Sequence, residues 1–310
     1  MEVVQPTRQL FELLGSKSEV LKIFNCSMPT FYLPTTIVKL FVADSLMEEF
    51  DIAESEHNKI DEINLKNVTI KKLPNNMHIL QHLITIDFKN VDTETARLSD
   101  FNDVQTKFLR LDAVSRNFES SLISNNFLEL LKLSNFNHSN IDVGNWILPK
   151  LKHLILSDNK LTTLPSNCHS IAHIQTLSMD SNMFQELEMN QFSIFTRIKE
   201  INMGNNLIER IIVSEGLELP LLESLCFKNN LLTDVMALEL ISMPNIDLLD
   251  LTKNRLQTVD LKIEVLHTQS FILIAGNPID CEWAKVEAAR EDSAFSLMTV
   301  VMRRACSIDD

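Results

Sequence analysis

The chain has 310 residues and a formal net charge of −14. Its hydrophobic fraction of 45% supplies enough apolar surface for a core, which excludes a disordered or collagen-like chain. An acidic chain without a Lys/Arg cluster repels phosphate groups, so we expect no nucleic-acid partner. No apolar stretch is long enough to span a bilayer, so no membrane insertion is expected. The first residues also lack the charged and apolar regions of a signal peptide.

One apolar pattern, LxxLxLxxNxL, recurs at intervals of 19 to 24 residues and predicts about twelve turns over residues 18–279. Residues 1–17 precede it and are predicted to form an incomplete N-terminal cap. The early turns keep most apolar positions, and they begin at Ser18, Ile37, Ile60, Leu83, Thr106 and Leu128. The later turns match the pattern without gaps, the last being weak at its first position, and they begin at Leu151, Ile174, Ile198, Leu222, Ile246 and Gln269.

The fourth and sixth positions of each turn point inward from a short strand, while the third, fifth and seventh face solvent. A single turn cannot bury its apolar side alone, so neighbouring turns must stack and share one core. The pattern therefore predicts an α/β solenoid, a curved horseshoe with a parallel concave sheet of about twelve strands.

The ninth position predicts a ladder of buried amides that satisfy backbone groups where each strand ends. The later turns carry this structural ladder at Asn159, Asn182, Asn206, Asn230, Asn254 and Asn277. The earlier turns replace it by Cys26, Ser45, Val68, Val91, Val114 and Phe136. We therefore expect a regular C-terminal half and a distorted N-terminal half.

These residues resemble the leucine-rich-repeat superfamily across nearly the whole chain. After the last turn, "GNPIDCEWA" resembles the opening of the cysteine-bearing C-terminal cap of extracellular members. The resemblance implies a helical cap over residues 280–310, with a disulfide between Cys281 and Cys306. A reduced cap on a Phe-rich, Gly-poor solenoid is similar to the mosquito leucine-rich immune proteins, in a short form without their coiled coil. Those proteins are secreted and bind pathogens or complement-like factors.

Three sequons permit N-glycosylation if the chain is secreted, at Asn25, Asn67 and Asn137. Phosphate loops, nucleophile elbows, zinc-protease helices and paired-cysteine metal motifs are absent from the sequence, so we expect no enzymatic activity, no cofactor and no metal. Two pairs of histidines lie four residues apart, His78 with His82 and His169 with His173. Neither pair has further ligands nearby, so solvent-facing side chains are favoured over a zinc site.

Binding is expected on the concave sheet, where side chains project from a rigid scaffold. The candidate contact residues are Asp87, Arg110, Lys132, Ser178, Asn202, Lys228 and Asp250. The neighbouring rows add several lysines, which makes the face mildly basic. This charge either attracts an acidic partner or belongs to an ordinary solvated sheet on which basic residues discourage aggregation. The N-terminal half is an alternative docking surface.

Two cysteines are candidates for thiol reactivity or for a disulfide to another chain. Lys228 shares the face of Cys226 and could favour its thiolate, although the favoured explanation of Cys226 is a small residue under a neighbouring side chain. Cys168 is a candidate for a bridge to another chain.

The sequence thus predicts a non-enzymatic protein-binding recognition module, secreted and of innate-immune type. Its partner would be a protein or a pathogen surface ligand, and the oligomer could be disulfide-linked or non-covalent. The alternative is a cytoplasmic leucine-rich-repeat scaffold or regulatory subunit.

Overall fold

The computed structural model describes residues 7–15, 18–52, 58–115, 117–235, 242–259 and 271–288. Contacts within the chain divide it into two compact units. Unit 1 comprises residues 1–136, 141–155 and 166–171, and unit 2 comprises residues 137–140, 156–165 and 172–310.

Unit 1 begins with a helix and then adds one long strand per turn. Its elements are α1 (Arg8–Gly15), β1 (Val20–Phe24), β2 (Ser27–Leu33), β3 (Lys39–Ile52), β4 (Glu62–Ile70), β5 (Thr85–Asp92), β6 (Ala96–Arg97), β7 (Phe108–Val114), β8 (Phe118–Glu119), β9 (Ile123–Ser124), β10 (Leu130–Ser134), β11 (Trp146–Ile147) and β12 (His153–Ile155). Its sheet has the order β1-β3-β4-β5-β7-β10-β12, with β2 also paired to β3. Short 3-10 helices form part of the return path, at Met77–Ile79, Leu98–Phe101 and Cys168–Ile171.

Unit 2 repeats the same turn with shorter strands. Its elements are β13 (Thr176–Ser178), β14 (Glu186–Glu188), a 3-10 helix (Met189–Ile194), β15 (Glu200–Asn202), β16 (Arg210–Ile212), β17 (Ser224–Cys226), β18 (Leu248–Asp250), β19 (Phe271–Leu273) and α2 (Cys281–Ala288). Its sheet has the order β13-β15-β17-β18-β19. The two units contribute 13 parallel strands among the described residues, which confirms the predicted leucine-rich-repeat solenoid with a parallel sheet.

The two inward positions of each strand build the core of each unit. In β10 the side chains of Leu131 and Leu133 are 0% exposed, and in the turn of β17 those of Leu225 and Phe227 are also 0% exposed. Each such side chain contributes roughly 1.5–3 kcal/mol by leaving water. At the N-terminal end of unit 1, Phe11 of α1 packs edge-on against the Phe31 ring at 5.0 Å. Helix α1 therefore packs against the first turn of unit 1.

The eighth position of every turn has a left-handed backbone, a feature that the pattern did not predict. The residues with positive φ at this position are Asn25, Asp44, Asn67, Asn90, Ala113, Asn135, Asp158, Ser181, Asn205, Asn229, Lys253 and Gly276. Asn, Asp and Gly tolerate this conformation best, because their side chains are short and polar or absent. Ala113, Ser181 and Lys253 lack that advantage, so the left-handed turn there is imposed by the stack.

The expected distortion of the N-terminal half is wrong. Strand β3 pairs with β4 from Lys39 opposite Glu62 to Met47 opposite Ile70, and only the left-handed eighth position is skipped. The strands resume beyond this bulge, and Val68, Val91 and Val114 at the ninth position are at most 1% exposed. A continuing strand satisfies its own backbone groups, so it needs an apolar ninth residue and no amide. At Ser45, Val68, Val91 and Val114, which lie within strands, the loss of asparagine therefore marks a second regular type of turn.

In unit 2 the strands end at the fifth position, before the left-handed residue, and the ninth-position amide bonds to the backbone groups that follow. The Nδ2 group of Asn206 donates to the carbonyl oxygens of Met203, at 3.0 Å, and of Met179 one turn earlier, at 3.1 Å. Its Oδ1 accepts the backbone N–H of Phe184 at 3.2 Å. Equivalent bonds are made by Asn182, Asn230, Asn254 and Asn277, and Asn159 donates to the carbonyls of its own turn. Cys26, the ninth residue of the first turn, is exposed.

The described part of the C-terminal segment is α2, whose first turn is capped by Asp280. The Asp280 carboxylate accepts the backbone N–H of Glu282 at 2.8 Å, as at a typical helix N-terminus. Cys281 begins the helix, and Ala284 is fully buried. Residues 289–310, with Cys306, lie outside the described residues, so the full cap and the disulfide stay predictions.

Candidate protein-binding surface

The side chains at the third, fifth and seventh positions of the turns stand on one face of the sheet in each unit, which we call the strand face. In unit 1 the register aligns the middle position from strand to strand, so that Asp87 lies beside Arg110 and Arg110 beside Lys132. In unit 2 the register aligns Ser178 with Asn202, and then Cys226 with Asp250. The candidate contact residues of each unit therefore form continuous rows on rigid strands.

The strand face of unit 1 is basic. Among its described residues it carries six cations, namely Lys22, Lys39, Lys66, Lys89, Arg110 and Lys132, and three carboxylates, namely Glu62, Asp87 and Asp112. Two cations are paired, Lys39 with Glu62 at 2.8 Å and Lys89 with Asp112 at 3.6 Å. No ion pair within the described ranges involves Lys22, Lys66, Arg110 or Lys132. Their charge is available to a partner.

Asp87 lies half-buried in the middle of this basic region. Burial raises the pKa of its carboxyl above the usual value, against the opposing attraction of Arg110 and Lys132. Desolvation of the carboxylate therefore outweighs the attraction of the neighbouring positive charges.

The side chains at the second position of the turns lie next to the strand face, and they contribute less positive charge than the sequence suggested. Glu129 accepts a hydrogen bond from Lys152 at 2.6 Å and lies 3.9 Å from Lys107. The bond from Lys152 lowers the pKa of Glu129. In unit 2, Lys199 is paired with Glu223 at 2.5 Å. These three lysines thus share two glutamates, which leaves the second-position side chains with little net charge, so the basic character of unit 1 rests mainly on its strand face.

The strand face of unit 2 is acidic and internally bonded. The Asp180 Oδ1 atom accepts hydrogen bonds from the hydroxyl of Ser178 at 2.7 Å and from Asn202 Nδ2 at 3.3 Å. Asp250 accepts the backbone N–H of Thr252 at 2.9 Å. Lys228 is exposed beside these groups. Sequence reasoning missed Asp180, although its seventh-position spacing places it on this face.

The thiol hypotheses find no support in the local environments. Burial is the largest influence on Cys226 and raises its pKa, which outweighs the favourable effect of Lys228. Burial, helped by Asp142, raises the pKa of the Cys168 thiol to about 11, and only 5% of this residue is exposed. Both sulfur atoms are protonated at neutral pH and poorly placed for exchange. The exposed cysteine among the described ones is Cys26.

A hollow of about 390 Å³ opens on the strand face of unit 1, over Ala43. The residues at the same seventh position in the adjacent turns are long, Phe24 on one side and Lys66 on the other. Phe41 and Asn64 border the hollow at the middle position. The hollow therefore forms because the small side chain of Ala43 lies between two large neighbours. A small residue at the seventh position between large ones is visible in the sequence, but it was not recognised there.

The remaining candidates for chemistry are separate from this surface. His78, His82 and His169 are exposed, and the described part of the chain holds no group of three or more His, Cys, Asp or Glu suited to a metal ion. The sequon residues Asn25, Asn67 and Asn137 are all exposed. Asn67 lies at the rim of the strand face, where its Nδ2 donates to Asp44 at 2.8 Å. No helix within the described ranges is long and apolar enough to cross a membrane.

The stacked turns and parallel strands of the chain have the leucine-rich-repeat fold. Among solved structures, the LRIM1/APL1C complex contains a chain that matches 81% of this one with a TM-score of 0.52 at 17% identity. A leucine-rich-repeat protein of Leptospira interrogans covers 81% of this chain with a TM-score of 0.45 at 16% identity. The present chain spans 50% of the matched chain in the complex. Neither a protein-family model nor a curated protein matches the sequence.

Proposed function

We propose that this chain is a non-enzymatic recognition module that binds a protein partner through the strand face of unit 1. The observation that carries the proposal is a set of four cations on this face that make no ion pair within the described residues, Lys22, Lys66, Arg110 and Lys132, in a chain whose net charge is −14. Concentrating positive charge on one face of an acidic protein steers an acidic partner toward it and disfavours other orientations. The LRIM1/APL1C match supports this assignment at the level of the fold, since that structure is itself a complex of two proteins.

The test compares a variant of the strand face with a matched variant outside it. Arg110→Glu with Lys132→Glu should abolish capture of a partner that the wild-type chain retains. Lys59→Glu with Lys72→Glu changes the net charge equally outside the face and should leave capture intact. Equal loss in both variants would point to total charge rather than to this surface.

We further propose that the module is secreted and of innate-immune type, because its reduced cap and Phe-rich, Gly-poor composition resemble those of the mosquito leucine-rich immune proteins. The exposure of Asn25, Asn67 and Asn137 is compatible with glycans at all three sites. Mass spectrometry of the natural protein under non-reducing conditions tests this proposal. Glycosylated sequons or a peptide linking Cys281 to Cys306 would support secretion, and unmodified asparagines with free thiols would favour the intracellular scaffold.

A further inference from the structure

The hollow over Ala43 combines an apolar floor with a positively charged border. Phe24 is 55% exposed, and Phe41 forms the neighbouring wall. The Lys22 ammonium lies 5.7 Å from the centre of the Phe41 ring, while Lys66 and Lys89 stand on the opposite side of the hollow. An exposed phenylalanine is costly in water unless a partner covers it.

The size of the hollow limits what can enter it. A volume of about 390 Å³ is at the lower end of the roughly 300–1,000 Å³ typical of ligand pockets. It accommodates one large side chain together with its adjoining backbone. The rest of a partner would then lie over Lys22, Lys66 and Lys89.

The charged residues around the hollow determine which groups of a partner can lie beside it. Within the described residues, three lysines line the hollow against one carboxylate, that of Asp87. Lys22 and Lys66 make no ion pair with any described residue, so a partner's carboxylate would gain a salt bridge without displacing one. Lys89 is held by Asp112 at 3.6 Å and is the less available of the three.

From this geometry we infer that the hollow over Ala43 binds an acidic segment of a partner protein, which inserts an aromatic or large aliphatic side chain between Phe24 and Phe41 and places flanking carboxylates on Lys22 and Lys66. The inference rests on the proposed function and refines it, since it names the chemistry of the partner and the turns that recognise it. Apolar anchoring supplies affinity and the lysines supply orientation.

The test is selection of random dodecamer peptides on the purified full-length chain. Selected sequences should be rich in Asp and Glu around one Phe, Trp, Tyr, Leu or Met. Binding of a selected peptide, measured by fluorescence anisotropy, should weaken by about tenfold or more between 0.05 and 0.5 M NaCl because the contacts are exposed charges.

Two variants with matched controls locate the site. Ala43→Phe fills the hollow and should weaken peptide binding at least about tenfold. The backbone accepts a phenylalanine at this position, because Phe24 occupies the equivalent position of the preceding turn. Ala275→Phe makes the same change at the seventh position of the last turn, where Ala275 is exposed, and should leave binding unchanged. Lys22→Glu with Lys66→Glu should also abolish binding, whereas Lys59→Glu with Lys72→Glu should not. Circular dichroism verifies that each variant is folded.

The outcomes separate the inference from the proposed function. Neutral or basic consensus peptides, or acidic peptides that bind Ala43→Phe normally, would overturn the inference. If those same peptides are lost on Arg110→Glu with Lys132→Glu, the strand face remains the binding surface and only the hollow is wrong. Selection that gives no peptide, or peptides insensitive to every strand-face variant, would overturn both.

Discussion

The side-chain amide of Asn182 donates to the backbone carbonyl of Leu156, one turn earlier, at 3.0 Å. The Oδ1 atom of Asn182 accepts the backbone N–H of Leu161 at 3.0 Å. One buried side chain thus satisfies a carbonyl and an N–H that the end of a strand leaves open. Repetition of this relationship joins the turns of unit 2.

Removing one such amide should destabilise the fold strongly. Asn206→Ala leaves the buried N–H of Phe184 without its partner and removes one of the two amide bonds to the Met179 carbonyl, which Asn182 still holds. We therefore expect a loss of about 2 kcal/mol in the free energy of unfolding. Asn245 is exposed and makes one hydrogen bond, to Pro220, so Asn245→Ala should cost less than about 1 kcal/mol. Urea denaturation measures both, and equal costs would contradict the ladder's role.

Introducing the asparagine into unit 1 should also destabilise it. Val91 is 0% exposed and lies in a continuing strand between Val68 and Val114. Val91→Asn buries an amide where the backbone needs no partner, and should cost about 3 kcal/mol. Asn230→Val is the reciprocal control and should be costly as well. If Val91→Asn instead stabilised the chain, the two types of turn would be interchangeable.

Ala113 offers a stabilising substitution. Its φ of 52° places Ala113 in the left-handed region of backbone conformation, which costs a non-glycine residue roughly 1–2 kcal/mol. Ala113→Gly should therefore raise the free energy of unfolding by up to about 1 kcal/mol, the usual gain after the opposing chain entropy. Ala172 is not among the positive-φ residues, so Ala172→Gly should lower stability. Thermal denaturation of the pair checks the contrast.

Stability should depend on pH through Asp87. The pKa of this carboxyl is raised in the folded state, so ionisation of Asp87 opposes folding. The contribution of Asp87 to the free energy of unfolding is therefore most favourable below the unfolded pKa and is lost as pH rises through the folded pKa. Asp87→Asn should therefore raise Tm at pH 7, by no more than about 3 °C given the solvent screening at this half-exposed site. The difference in Tm between Asp87→Asn and the wild-type chain should disappear below about pH 4. A lower Tm at pH 7 would show that attraction by Arg110 dominates.

Thiol labelling should follow exposure and pKa. At pH 8 in the native state, iodoacetamide should modify the exposed Cys26 first and Cys226 slowly, because burial raises the pKa of Cys226. Cys168, whose pKa is raised to about 11, should react only after unfolding. Peptide mass spectrometry over time gives the order, and rapid native labelling of Cys168 would refute it.

Sequence periodicity predicted the turns, their starting residues and the amide ladder, because a repeat that must bury the same two positions in every turn repeats those residue types. Leu151, Ile174 and Ile198 could be aligned without any structure. The bulge at the eighth position was not predicted, since Ala113 and Lys253 adopt it against their own preference. Likewise, Val68 and Val91 were interpreted as signs of distortion although they belong to a continuing strand.

The sequence by itself determined the parallel stack and the face from which side chains project, because both follow from the spacing of apolar residues along the chain. Tertiary structure decided which charges on that face are available. Lys152 is paired with Glu129, whereas Lys66 makes no ion pair with any residue that the structure describes. The difference depends on which side chains neighbouring turns bring within about 4 Å, where Coulomb attraction between exposed groups becomes appreciable. The hollow over Ala43 arises for the same reason, because its lining residues come from four successive turns, which only the register of the strands brings together.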